Sequence, residues 1–471
     1  LPDFRDIKTD GAWSSAEEEA FVRTLGKPAK EAVSRAIRER GYRHTSCHGR
    51  AGINPLVFES GQGSILKDAD GNRYLDLGSG IYVTNLGHAH PKVSEAISRQ
   101  AKALMNCHDY MTPVKAAFLE RLSGCLGGDL NNIHLYDNGT TAVEFAIRAA
   151  RTITGRHEVI SFFSDHHGKT YGSAALGRIT PSNGPARPSG FHLVPRPDPY
   201  RPVWTGQDGK IDTDAYIAFY EQYMKEATTG LVAAFVLEPI QGWGGTIIPP
   251  DDFLPKLAHL CRSRGVLLVT DEILAGSGRT GKWLSADWWG VRPDITVLGK
   301  GLGNGFPMSA LVVKEEHAWA LPKIAPSTTF GGNPMACAAG LATIRAIEEE
   351  GAMELAVENG KYLLERLEEL KEAHPMIGDV RGRGCLLGIE FVWDRETKKP
   401  FIEAASEVYA ECLKRKLIPG VPVVHLLRLA PQLTIDREMI GTAVAILDES
   451  IERVEEKFGM KGGLGDRRAT V

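Results

Sequence analysis

Two residues at the ends of neighbouring apolar runs carry the strongest chemical signal in this chain. Gly265-Val-Leu-Leu-Val-Thr270 runs into the acids Asp271 and Glu272. Ile295-Thr-Val-Leu298 delivers Lys300 into a glycine-dense turn, Gly299-Lys-Gly-Leu-Gly-Asn-Gly305. A carboxylate and a nucleophilic amine at adjacent strand ends form a reactive pair, and active sites of parallel α/β sheets lie beyond the carboxyl ends of their strands. Three further strand ends add polar groups. Ile133 to Tyr136 precedes Asp137-Asn138-Gly139-Thr140-Thr141 and a helix with a small-residue face. The free N–H groups of a first helical turn, its dipole and the threonine hydroxyls suit a phosphate, although the same residues also serve as plain N-caps. Val159 to Phe163 leads to Asp165-His166-His167, where an imidazole stacks on a flat group or is simply a surface histidine. Leu231 to Leu237 ends on Glu238 and Gln241.

The elements that must hold these groups follow from periodicity. Strand-like and helix-like stretches alternate from about residue 115 to 345, which predicts a mainly parallel sheet covered on both faces. Pro55 to Leu77 alternates around an Asp-Gly-Asn turn and reads as a β-meander. Leu426 to Pro431 reads as a short edge strand carrying Arg428. Composition shifts near residue 350. The expected organisation is a helical arm over 1–40, the first part of a small domain over 41–75, a large domain over 76–350, the rest of the small domain over 351–458 and a mobile tail over 459–471.

Bulk properties exclude several classes. The chain has 471 residues, 55 Lys+Arg against 59 Asp+Glu, and a net charge of −4, so no basic surface for nucleic acid or an acidic membrane is expected. No apolar run reaches the ~18 residues of a membrane span. The first residue is Leu1 and no signal-like segment precedes the polar start, the pattern expected of a trimmed or partial cytoplasmic chain. Seven scattered cysteines without a C-x-x-C pair fit free thiols. His44-Thr-Ser-Cys47-His48 has no second half that would make a metal site, and His88 and His90 lack a third ligand, so no metal is expected.

Two motifs mislead. Gly276-Ser-Gly-Arg-Thr-Gly281-Lys282 matches G-x-x-x-x-G-K, but Trp283 stands where a P-loop needs Ser or Thr, and the preceding acids would repel a triphosphate. The Gly299–Gly305 turn alternates its glycines and does not fit G-x-G-x-x-G.

A phosphate cradle, a ring stacker, a strand-end acid and a strand-end lysine together describe a site for pyridoxal 5′-phosphate (PLP). The order and wording from about Pro55 to Ile435 resemble the class III, or ω-, aminotransferases of PLP fold type I. Asp271-Glu272, Gly278-Arg-Thr-Gly281, Pro293-Asp294 and Lys300-Gly-Leu-Gly303 carry that resemblance. It implies an α/β fold, with a mostly parallel seven-stranded central sheet and a smaller α/β domain built from both chain ends. It implies Lys300 as the Schiff-base lysine and proton carrier, and Asp271 as the partner of the pyridine nitrogen. Ile273 and His166 would pack on the two ring faces. Asn138, Gly139 and Thr140 would hold the phosphate by backbone N–H and hydroxyl. Glu238 and Gln241 would position Asp271 and the ring-hydroxyl region. Thr329 would reach the phosphate of the neighbouring subunit, implying a homodimer with shared sites, or a tetramer. Arg428 would receive a substrate carboxylate, with Trp243 and Tyr82 lining the same pocket. Three departures from the family pattern stand out. His166 occupies a position where many members carry Tyr or Phe, bringing a ring that can titrate near neutrality. Asn138-Gly-Thr-Thr141 stands where many have Ser-Gly-Ser/Thr-Glu. Trp243 replaces the glutamate that pairs with the arginine in glutamate-using members. The expected reaction moves an amino group from an amine or ω-amino acid with an apolar or aromatic body to a small 2-oxo acid such as pyruvate. A racemase, epimerase or dialkylglycine-type decarboxylase shares the same constellation, and a non-catalytic binding protein of the same fold is the third reading.

Overall fold

The computed structural model describes residues 32–42, 44, 56–177 and 187–460. Its central sheet has seven strands: β1 (Leu130–Tyr136), β2 (Glu158–Phe162), β3 (Phe191–Val194), β4 (Val232–Leu237), β5 (Leu267–Asp271), β6 (Ile295–Leu298) and β7 (Ser309–Lys314). They lie in the order β1-β7-β6-β5-β4-β2-β3. Only β7 runs against its neighbours, so six strands point their carboxyl ends the same way. This is the sheet the alternating pattern predicts. β2, β4, β5 and β6 are buried along their whole length, which is why they read as near-continuous apolar runs. Each such Val or Leu contributes about 1.5–3 kcal/mol by leaving water. The two threonines in this layer satisfy each other: Thr270 and Thr296 hydroxyls are 3.0 Å apart.

Register places the reactive groups. Asp271, the last residue of β5, lies opposite Val297 of β6, and Lys300 follows just beyond that strand. The helix Gly139–Thr154 starts directly after β1; the Asn138 side chain caps it by accepting from Thr141 N at 2.9 Å, and Gly155 ends it in the left-handed conformation. Its small face, including Ala142, Ala146, Ala149 and Ala150, packs into the sheet core.

The two flanks of the central sheet meet in a second core. Strands Phe58–Gln62, Ile65–Asp68 and Arg73–Asp76 form the expected meander, and Leu417–Ile418 adds to it in parallel. A separate sheet of Ile377–Arg383, Leu386–Asp394, Lys399–Pro400 and Leu426–Leu429 packs against the helices Ala352–Ala373, Ile402–Lys414 and Arg437–Phe458. Leu75, Leu367, Phe391, Val408 and Leu447 share this core. Residues 1–31 of the expected arm and 461–471 of the expected tail lie outside the described residues, as do Cys47 and His48. The helix Ala32–Tyr42 is tied down where Val33 N and Ser34 N donate to Asp70. His88 and His90 are taken by Asp76 (2.7 Å) and Glu350 (3.1 Å). Among the described residues no helix is long and apolar enough to cross a membrane.

Candidate active site

A cavity of ≈ 270 Å³ opens at the carboxyl ends of the central strands. Asn138, Gly139 and Thr140 after β1, His166 and His167 after β2, Ile273 after β5 and Lys300 after β6 line it. Close packing explains the glycines around the lysine. A Cβ on Gly299 would press on Ile273, and one on Gly301 would sit 2.2 Å from Asn85 Nδ2. Asn304 then clamps the turn, accepting from Leu86 N (2.8 Å) and donating to Gly87 O (3.1 Å). Lys300 itself has φ of +41°, a left-handed conformation that costs about 1–3 kcal/mol in a non-glycine residue and clusters at functional sites. Its ammonium makes no hydrogen bond or ion pair among the described residues. Burial lowers its proton affinity, outweighing the attraction of Asp271 and Glu238, and the nearby Arg428 charge adds to the lowering.

Asp271 is held by a group that the strand-end signal does not single out. His167 Nδ1 lies 2.7 Å from Asp271 Oδ2, and its Nε2 lies 3.4 Å from Asp165 Oδ2 and 3.1 Å from Ser161 Oγ. Burial opposes charge on this imidazole, yet the hydrogen bonds and charges of Asp165 and Asp271 push it up to about 10, so it is a cation between two carboxylates. Neither histidine is a surface residue. His166 is partly buried, and burial, Lys300 and His167 hold it down at about 4, so the ring stays neutral at physiological pH. This corrects the expectation of a ring titrating near neutrality.

Neither Glu238 nor Gln241 hydrogen-bonds Asp271 directly. Glu238 accepts from His166 N (2.9 Å) and Gly242 N (3.0 Å), and burial with the neighbouring acids raises its pKa. Gln241 donates to Asp165 Oδ1 at 2.6 Å, so it reaches Asp271 only through Asp165 and His167. Asp271 Oδ1 accepts from Ile273 N at 3.0 Å, which fixes the branched side chain at the cavity wall. The Thr140 hydroxyl is already engaged with Thr170 (3.1 Å), Ser173 (2.6 Å) and the Lys169 N–H (3.1 Å). Of the first helical turn, Thr141 N is taken by Asn138, whereas Gly139 and Thr140, whose N–H groups have no partner inside the helix, line the cavity. Thr329 is exposed on a turn outside the cavity, where its carbonyl accepts from Asn106 Nδ2 at 3.2 Å.

Arg428 forms the second half of the site. It lies on the edge strand Leu426–Leu429, opposite Gly388, and is 1% exposed. Its guanidinium carbon sits 4.7 Å from the Tyr82 ring centre and 4.9 Å from that of Trp243. Trp243 in turn stacks on His166 at 5.1 Å. Nη1 donates to Gly242 O at 3.3 Å, while Nε and Nη2 are buried without a hydrogen-bond partner among the described residues. Unpaired buried donors on a charged group are costly, and here they point to an anionic ligand that supplies acceptors. Tyr82 reaches this position at the end of a tight turn, Ser79 to Tyr82, in which every φ is positive. The Gly276–Gly281 turn that imitates a P-loop has a different use. Arg279, wholly buried and without an acid partner among the described residues, donates from it to Asn85, Cys385 and Pro431.

The model of the class III aminotransferase family matches residues 48–451, and the chain belongs to that family. It is 35% identical over 412 residues to an isoleucine 2-epimerase from Lentilactobacillus buchneri, covering 85% of this chain and 90% of that protein. An acetylornithine aminotransferase from Methanocaldococcus jannaschii is 34% identical over 420 residues, covering 88% of this chain and 97% of that one. Among solved structures, a PLP-bound amine transaminase from an uncultivated Pseudomonas species superposes with a TM-score of 0.81 at 30% identity, over 87% of this chain and 97% of that one. The fold is PLP-dependent fold type I and the cofactor is PLP. The residues present fit that group. The cavity combines helix N–H groups for a phosphate, His166 and Ile273 for ring contact, and a free lysine amine. Asp271, held by a cationic His167, supplies the carboxylate.

Proposed function

We propose that this chain transfers an amino group from an amine or ω-amino acid with an apolar or aromatic body to a 2-oxo acid such as pyruvate, in two half-reactions at one site. The observation that carries the reading is the pairing of an unbonded Lys300 amine with Arg428, whose two unpartnered nitrogens lie between aromatic faces. PLP, when bound, supplies an electron sink that loosens the bonds at the substrate carbon bearing nitrogen. The chain does the rest. Lys300, with its proton affinity lowered, takes a proton from that carbon and returns it elsewhere. Asp271 would face the ring nitrogen, and the hydrogen bond from His167 holds its side chain in place. The Gly139 and Thr140 amides would hold the phosphate, with Asn138 fixing the start of their helix. Arg428 takes the carboxylate of the 2-oxo acid through a bidentate fork, and Trp243 and Tyr82 present flat apolar faces to the rest of the substrate.

The assembly we propose is a cytoplasmic homodimer with shared sites. Its support is the exposed Thr329, tied through Asn106 to a segment whose Met105, Tyr110 and Met111 are also exposed. The large domain is assigned to 76–350 and the small one to both flanks, a division supported by the core that Leu75 shares with Leu447.

A second reading, racemase or epimerase action on an amino acid, is favoured by the 35% identity to an isoleucine 2-epimerase. A half-reaction separates the two. A donor panel added to the PLP-loaded protein without acceptor should convert the cofactor absorption band to that of its aminated form, and pyruvate should restore it. Loss of optical rotation with no conversion of the band would replace transfer by epimerisation.

A further inference from the structure

The segment that carries Trp243, Gln241-Gly-Trp-Gly-Gly245, is fastened by three arginines. Gly242 O accepts from Arg428 Nη1 (3.3 Å), Gly244 O from Arg196 Nη1 (3.1 Å) and Gly245 O from Arg381 Nε (2.8 Å). Glycine is what lets these cations lie against the backbone. A Cβ on Gly244 would meet Arg196 Nη1 at 2.7 Å, and one on Gly245, where φ is +110°, would meet Arg381 Nη2 at 3.0 Å. The loop is closed at its root by paired hydrogen bonds between Gln241 and Ile247. Arg196 and Arg381 are themselves anchored. Arg196 Nη2 donates to Asp198 at 2.9 Å; Arg381 donates to Asp379 at 2.6 Å and to Glu390 at 2.9 Å. Glu390 is further held by Arg201 (2.5 Å) and His425 (3.2 Å).

Two consequences follow for the pocket. The fastened loop holds the Trp243 indole between His166 and the Arg428 guanidinium. Arg196 and Arg381 have donors committed to loop carbonyls and to acids, so neither offers a free fork to a second carboxylate, whereas Arg428 keeps two nitrogens open. We infer that Arg196 and Arg381 are positioning residues for substrate choice: by locking the 241–247 loop they restrict the site to monocarboxylate 2-oxo acids and exclude 2-oxo dicarboxylates. This rests on the transfer reading above and names the residues that set its acceptor class.

The test uses the PLP-loaded protein and the variants Arg381→Gln, Arg381→Lys and Arg196→Gln. In the wild type, kcat/KM for pyruvate should exceed that for 2-oxoglutarate. Arg381→Gln and Arg196→Gln should each shrink this ratio by about ten-fold, the change that one lost charged hydrogen bond brings, through KM more than kcat. Arg381→Lys, which keeps a donor and the charge, should restore most of it. Calorimetric titration should show the same shift without turnover, with glutarate gaining on propionate in the glutamine variants. If Arg381→Gln does not fold, Arg196→Gln carries the same test through the neighbouring carbonyl. Folded variants with the wild-type ratio and unchanged glutarate binding would overturn the inference. A wild type whose cofactor band no donor converts in the absence of acceptor would instead remove the transfer reading beneath it.

Discussion

The substitution His167→Asn probes the support of Asp271. Asparagine can still donate to Asp271 from roughly where Nδ1 stands, but it carries no charge. His167 is 2% exposed and lies between Asp165 and Asp271. Removing one side of a buried ion pair costs about 3–5 kcal/mol. The rise of the imidazole from its ordinary value of about 6.5 to about 10 corresponds, at 1.36 kcal/mol per pH unit, to roughly 5 kcal/mol, at the top of that range. The sign is definite. A group whose pKa is raised by folding contributes its full stability below the unfolded value, and loses it as pH climbs towards the folded one. The wild-type advantage is therefore largest near pH 6 and fades between about pH 6.5 and 10. Urea unfolding of the cofactor-free protein and the variant at pH 6 and pH 10 measures it directly. A difference of several kcal/mol at pH 6 that shrinks sharply at pH 10 is the expected result. An equal difference at both pH values would mean that His167 acts by shape or neutral hydrogen bonding, and the cationic bridge would be wrong.

Other perturbations follow from the same geometry. Lys300→Ala should abolish turnover while PLP still binds through its phosphate, seen as a bound cofactor lacking the wild-type absorption band. Gly301→Ala should lower the melting temperature by the equivalent of about 1–3 kcal/mol, because its Cβ would fall 2.2 Å from Asn85 and push that side chain off Arg279. His374 lies between Glu455 (2.9 Å) and Asp448 (2.7 Å); burial opposes its charge, but these acids raise its pKa. Its share of stability should be complete below about pH 6.5 and decline as pH rises through the elevated folded value, so His374→Gln should narrow the stability gap at alkaline pH.

Much of the site is legible along the chain because each strand announces itself. β4, β5 and β6 are buried on both faces, so their apolar runs stop abruptly at Glu238, Asp271 and Lys300, and the sheet then gathers those stops at one edge. What joins them is less legible. Which of two adjacent histidines turns inward depends on the backbone after β2, where Ser164 has φ of +67° and Gly168 of +143°. Nothing in His166-His167 as a string favours the second for Asp271. Glu238 and Gln241 likewise find partners 72 and 76 residues away, at His166 and Asp165, a choice made by strand order. The three arginines on the Trp243 loop come from three distant segments, so the glycines at 244 and 245 were the one local sign that something packs closely there.

The central claim is that Lys300 is the residue that binds the cofactor covalently. Borohydride reduction of the PLP-loaded protein, followed by proteolysis and mass spectrometry, tests it in one step. A phosphopyridoxyl group on the peptide containing Lys300, and on no other lysine, is the predicted result. The same group on a different lysine, or its absence from a protein that retains PLP, would contradict the account.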